Sequence, residues 1–203
     1  MYNKKIPELE SARTFGIIGI ILQFIGVGGD AFLHGLGFLI SIVGFIFLLI
    51  AFKNISKYYN NPEPFRYMLY SLISSIVLGA LSAALIALVL IPIFLASLTS
   101  GIGFIKLIEL LLFIFLMAIV IILLPVIFEY IACNSVSELT GIDDFHTAAL
   151  LLLIGIILTI IVVGIILILI GIIFLIIGFN KLPDEAIPVN EDPDIKGNDT
   201  GFI

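Results

Sequence analysis

Six polar or ionisable side chains sit in or beside long apolar runs of this chain: Gln23, Lys106, Glu109, Glu129, His146 and Thr159. Polar groups inside apolar spans are rare and expensive, so they are the first place to look for chemistry. Lys106 and Glu109 are three residues apart, which puts them on one helical face where they can pair. The preferred reading is an interfacial pair in which Lys106 snorkels. An ion or proton site would need a second polar partner for Glu109 from another helix. Gln23 is the candidate for that role, and Thr159 stands at the matching place in an internal repeat. Glu129 precedes Tyr130 at an expected inner boundary, where a charge reaches water. Asp30 and His34 lie four apart, but two ligands do not make a metal site, and His146 beside Asp143 and Asp144 is better read as part of a capped helix start. For Asp143 and Asp144 the preferred role is to cap a helix. The sequence holds no phosphate-binding glycine loop with Lys and Ser or Thr, no HExxH, no Gly-x-Ser-x-Gly and no cysteine pair, Cys133 being alone. No catalytic, cofactor-binding or metal-binding residue is therefore assigned, and no cofactor is expected.

The elements that must position these residues are transmembrane helices. With 62% hydrophobic and 12% charged residues, the chain departs from soluble proteins, which carry roughly 25% charged residues. Only helices and closed barrels satisfy their backbone in lipid, and the apolar runs here are continuous rather than alternating, which excludes barrel strands. The expected fold is all-α, a polytopic bundle of about six spans in a single transmembrane domain over 1–182. Helices are expected at about 11–27, 36–55, 65–98, 105–139, 144–162 and 164–181. The third is expected to break at Pro92, and Pro125 is a possible kink in the fourth.

An internal repeat organises this series. GIIL occurs at Gly19 to Leu22 and again at Gly155 to Leu158; Gly37, Gly44, Phe47 and Phe52 match Gly164, Gly171, Phe174 and Phe179. The two overlays differ by nine residues, which coincide with the polar interruption GGDAFLHGL, Gly28 to Leu36. Both copies read as helical hairpins, the first with a looped turn at that interruption and the second with a minimal turn at Val163 and Gly164. The alternative, one helix from Asp143 to Asn180, would reach about 57 Å, nearly twice the hydrocarbon thickness. Small residues recur every seven positions at Gly37, Gly44 and Ala51 and at Gly164, Gly171 and Gly178, the pattern that lets helices approach closely in lipid.

Lys53 to Arg66 reads as a loop, with a turn at Asn60, Asn61 and Pro62 and an interfacial cluster of Tyr58, Tyr59, Tyr67 and Tyr70. Six spans place Lys4, Lys5, Arg13, Lys53, Lys57, Arg66, Lys181 and Lys196 on one side and Lys106 alone on the other. That side is expected to be cytoplasmic, with both termini, in a multi-pass protein of the cell membrane. Residues 183–203 carry six acids against Lys196 and read as a disordered cytoplasmic tail. Expected partners are the lipid bilayer and a membrane protein or second copy docked on small-residue helix faces; nucleic acid is not expected.

The loop YYNNPEPFRY (Tyr58 to Tyr67), the segment SELTGIDDFHTAALLLLIGIILTIIVVG (Ser137 to Gly164) and the ending that includes Phe179 resemble an archaeal and bacterial family of integral membrane proteins, domain-of-unknown-function family 996. The resemblance covers residues 12–181, everything but the lead and the tail. It implies no activity, so no functional residue carries over. Where similar sequences carry charged residues after the fourth helix, this chain has Ala132, Cys133 and Asn134.

The expected function is that of a non-enzymatic accessory or scaffold component. The alternatives are a small-molecule or ion transporter, since related hairpins occur in transporters, and a lipid-modifying enzyme. Convergence of Gln23, Glu109 and Thr159 at mid-membrane would favour transport. A cytoplasmic pocket lined by Glu129 and His146 would favour an enzyme.

Overall fold

Six helices are delimited among the described residues of the computed structural model: α1 Pro7–Leu33, α2 Leu36–Tyr58, α3 Glu63–Leu85, α4 Phe104–Thr140, α5 Asp143–Leu158 and α6 Val163–Asn180. The structure describes residues 7–33, 36–85, 87–88, 91–92, 104–159 and 163–183. Among these there is no strand, and four helices (α1 to Gly29, α2, α3 to Ala84, and α6) are long and apolar enough to cross a membrane. The bundle is a polytopic membrane fold, and its six helices accord with about six spans. Its outside is what lipid demands: Phe24 and Val27 on α1, Phe38 and Leu39 on α2, Ile76 and Val77 on α3, and Ile166 and Ile173 on α6 are all exposed.

The stretch from Asp143 to Asn180 is a hairpin, as its length requires. The turn expected at Val163 and Gly164 is not there: Val163 opens α6 and Gly164 is packed inside it, while residues 160–162 lie outside the described residues. The first hairpin differs too. Helix α1 runs on through Gly28, Gly29 and Asp30 to Leu33, so most of the residues expected to form a loop are helical. The physical reason is that a helix keeps its backbone bonds internal in lipid, which outweighs the cost of two glycines, about 1 kcal/mol each.

Both hairpins are zipped by small residues brought backbone to backbone. A methyl group on Gly19 would stand 2.7 Å from the Gly44 carbonyl oxygen, and one on Gly44 would stand 2.7 Å from that of Gly19. Seven residues along, one on Gly26 would meet the Gly37 carbonyl at 2.6 Å. The same register sets Ala12 opposite Ala51, both fully buried. In the second hairpin Gly155 faces Gly164, whose added methyl would collide with the Gly155 carbonyl and the Thr159 nitrogen, and Gly171 faces Ala148. By the repeat, Gly155 corresponds to Gly19, but Gly164 corresponds to Gly37, not Gly44. The short hairpin is therefore zipped one seven-residue step out of register with the long one.

An ion pair closes the base of each hairpin: Lys57 to Glu8 at 3.1 Å, and Lys181 to Asp144 at 2.6 Å. The overlay that lays Gly155 on Gly19 lays Asp144 on Glu8. The hairpins meet where Phe52 and Phe179, also equivalent in the repeat, pack edge to face with centroids 6.1 Å apart, and Phe145 packs on Phe179 at 5.1 Å. Around these rings lie Leu9, Ile55, Met68, Cys133, Val136, Ala148 and Leu182, a dense core gathered at the end of the bundle that holds both hairpin bases. The Arg13 guanidinium donates to the Leu182 carbonyl and ties the start of α1 to the end of α6.

Helices α3 and α4 pack on each other beside the hairpins. The turn before α3 falls where Asn60, Asn61 and Pro62 put it: Asn60 has φ 51, Asn61 Oδ1 accepts from the Glu63 amide at 2.9 Å, and Ser56 Oγ accepts from the Phe65 amide at 3.0 Å. The tyrosine cluster forms there, with Tyr58 on Tyr59, Tyr67 on Tyr70, and Tyr70 on Phe128. Pro92 is described, but residues 86, 89–90 and 93–103 around the break expected there, and the acidic tail beyond Pro183, lie outside the described residues. Helix α4 continues through Pro125. It ends at Gly141, whose φ of 69 suits a residue without Cβ. Asp143 and Asp144 do not cap α5. The capping position is Ile142, without a side-chain bond, and the two acids occupy the first turn, where the helix dipole favours them.

Candidate functional site

Above the dense core the helices part around a cavity of about 490 Å³, walled by α1, α2, α3, α4, α5 and α6. Its walls are apolar almost throughout: Ile20, Leu48, Met68, Val126, Leu152, Ile168 and Leu175 are representative. Phe52 and Cys133, both buried, belong to its floor, whereas Val27, 77% exposed, and Gly28 mark its open side. The dense end follows from side-chain size. The rings of Phe52, Phe145 and Phe179 fill it together with small residues such as Ala12, Ala51 and Ala148, while Ile and Leu farther along both hairpins are exposed.

Three side chains bring polarity to this space: Gln23 from α1, and Glu129 and Tyr130 from α4. Glu129 accepts a hydrogen bond at 3.0 Å from the hydroxyl of Ser71 on α3, and Ser71 is 0% exposed. Helix α4 continues about 16 Å past Glu129 before ending at Thr140. Glu129 therefore lies about three turns from the end of α4, and its partner Ser71 about two turns from the start of α3. Glu129 is only partly covered by protein because it borders the cavity. Among the described residues it has no ion-pair partner.

The other candidate residues lie elsewhere. Glu109 is exposed on α4, and the side chain of Lys106 lies outside the described residues, as do His34 and the side chain of Asp30. Thr159 turns its hydroxyl back onto the Gly155 carbonyl at 2.8 Å in the final turn of its helix. His146 is held at the base of the bundle: its Nδ1 is 2.6 Å from Asn134 Oδ1, Asn134 Nδ2 donates to Glu138 at 2.7 Å, and the ring lies 6.2 Å from that of Tyr130. Neither anticipated convergence forms. Gln23 shares the cavity with Glu129 rather than with Glu109 and Thr159, and His146 is spent in a local network. Among the described residues no cluster of three or more metal-ligating side chains occurs.

Two contributors gave little sequence signal. Ser71 is one serine among several on α3, and its pairing with Glu129 bridges 58 positions. The Glu8 and Lys57 pair spans 49. The repeat was the signal available for the second, since it aligns Glu8 with Asp144.

Comparison with known proteins gives two matches. Residues 40–173 match the family model described as Protein of unknown function (DUF996). An uncharacterized protein of Methanocaldococcus jannaschii is 31% identical over 194 residues, covering 90% of this chain and 98% of that one. No solved structure matches.

Proposed function

The chain belongs to the family of proteins of unknown function DUF996, and we propose that it is a non-enzymatic accessory membrane protein that holds an apolar or amphipathic molecule inside its helical bundle. One observation carries this reading. A cavity of about 490 Å³, within the usual range of about 300–1,000 Å³ for small-molecule sites, is lined by apolar side chains with a few polar groups converging on it. A path for hydrated ions would require more polar lining than Gln23, Glu129 and Tyr130. The floor is sealed by Phe52 and Cys133, an arrangement that suits holding better than passage. At the base of the bundle, Asp144, His146 and Glu138 are engaged with Lys181 and Asn134, which gives little support to a lipid-modifying centre. In this reading the hairpin bases and both termini face the cytoplasm of a cell-membrane protein, on the strength of the lysine and arginine bias.

The test uses Gly28, which borders the cavity and where an added Cβ would meet no atom within 4 Å. Gly28→Phe adds a bulky ring at the open side, and its Cβ meets no backbone. Purified full-length chain should retain about one apolar molecule per chain through detergent exchange, detected by solvent extraction and mass spectrometry, and Gly28→Phe should lose it. No retention, or equal retention by both, would contradict the proposal.

A further inference from the structure

Glu129 specifies more than an apolar occupant. A carboxylate far from bulk water is costly unless its charge is balanced by a proton, a cation or several donors. One partner is present, the Ser71 hydroxyl, and it satisfies a single oxygen, Oε1. The carboxylate borders the cavity near its floor, beside Met68, Tyr130 and Cys133, while the cavity extends over apolar residues to Val27, Gly28 and Leu169. The space is therefore polar and acceptor-rich at one end and apolar along its length.

Building on the reading above, we infer that the occupant is a single-chain amphiphile with an amine head, its ammonium group against Glu129 and its chain directed toward Val27 and Leu169. Charge sign selects the head: an ammonium supplies the balancing cation and holds Glu129 in its ionised, acceptor-only form, whereas an anionic head brings no balancing charge and is repelled by that form. Volume selects one chain, since about 490 Å³ suits a single small ligand. Gln23, on the facing helix and bordering the same space, supplies both donor and acceptor and tolerates either a chain or a head. Charge-assisted hydrogen bonds are roughly twice as strong as neutral ones, so head discrimination should be readable against a common chain contribution.

The test equilibrates the full-length protein in detergent with dodecylamine, dodecanol or dodecanoate and counts retained molecules by native mass spectrometry. Wild type should retain the amine about tenfold better than the alcohol, equivalent to about 1.4 kcal/mol, and the carboxylate least. Glu129→Gln keeps the shape and a partner for Ser71, and it should bring amine retention down to that of the alcohol. Gly28→Phe should lower retention of all three. Equal retention of amine and alcohol by wild type, or an amine preference that survives Glu129→Gln, overturns this inference and leaves the apolar-cavity reading standing. Failure to retain any probe, or retention indifferent to Gly28→Phe, overturns both.

Discussion

The two hairpins begin from related sequence and end as different devices. The first spends 27 and 23 residues on its helices, the second 16 and 18. Both use small residues every seven positions, an acid in the first turn of the first helix, and a lysine near the end of the second. In the long hairpin Gly19 pairs with Gly44, and the helices extend beyond that contact, so that Gln23 stands at mid-helix beside the cavity. In the short one Gly155 pairs with Gly164, and the equivalent residue, Thr159, is consumed in the final turn, bonded to Gly155. One seven-residue shift thus separates a position that borders a cavity from one that finishes a helix. Repetition of sequence preserved the seam and the base, while the difference in length decided what the intervening polar residue does.

The largest expected effect probes where the hairpins meet. Phe179 touches Phe52 and Phe145, and its ring fills the space left by Gly16, whereas its repeat mate Phe52 faces Phe179 on one side and the cavity on another. Phe179→Ala should cost about 3–5 kcal/mol, with Phe52→Ala costing less, measured by unfolding in a fixed detergent. Equal costs would break the asymmetry. Smaller effects sharpen the seams. Gly19→Ala pushes a methyl onto backbone, 2.7 Å from the Gly44 oxygen and 2.9 Å from the Leu48 nitrogen, and should cost about 1–3 kcal/mol. Gly155→Ala meets Ile168 Cγ1 at 2.7 Å but backbone only at 3.0 Å, and should cost less in the same assay. Smallest are the basal ion pairs. Asp144 is 13% exposed against 31% for Glu8, so Lys181→Ala should destabilise by about 1 kcal/mol or less and Lys57→Ala by less than that. High salt should narrow the difference.

Much of the fold was readable because its signals are local. Composition dictates helices in lipid, Asn60 to Pro62 dictates a turn, Gly141 a stop, and the seven-residue spacing of glycines a seam. The lengths of the first hairpin were not readable, since Gly28, Gly29 and Asp30 carry the composition of a turn and only their surroundings make them helical. Gly164 misled for the related reason that a glycine serves a turn and a close helix contact equally well. The site was half legible: Gln23 and Glu129 stand out as polar residues in apolar surroundings, but which of them meet depends on helix packing. Nothing near Glu129 in sequence marks Ser71 as its partner.

The contrast between open space at Gly28, beside the cavity, and close backbone contact at Gly164 is tested most directly by placing the same methyl group at each. Gly28→Ala enters open space and gains helix propensity, so its melting temperature should equal or exceed that of the parent. Gly164→Ala drives the same methyl into the Gly155 carbonyl, and its melting temperature should fall steeply or no folded protein should be recovered. Comparable losses from both substitutions, or a harmless Gly164→Ala, would contradict the account.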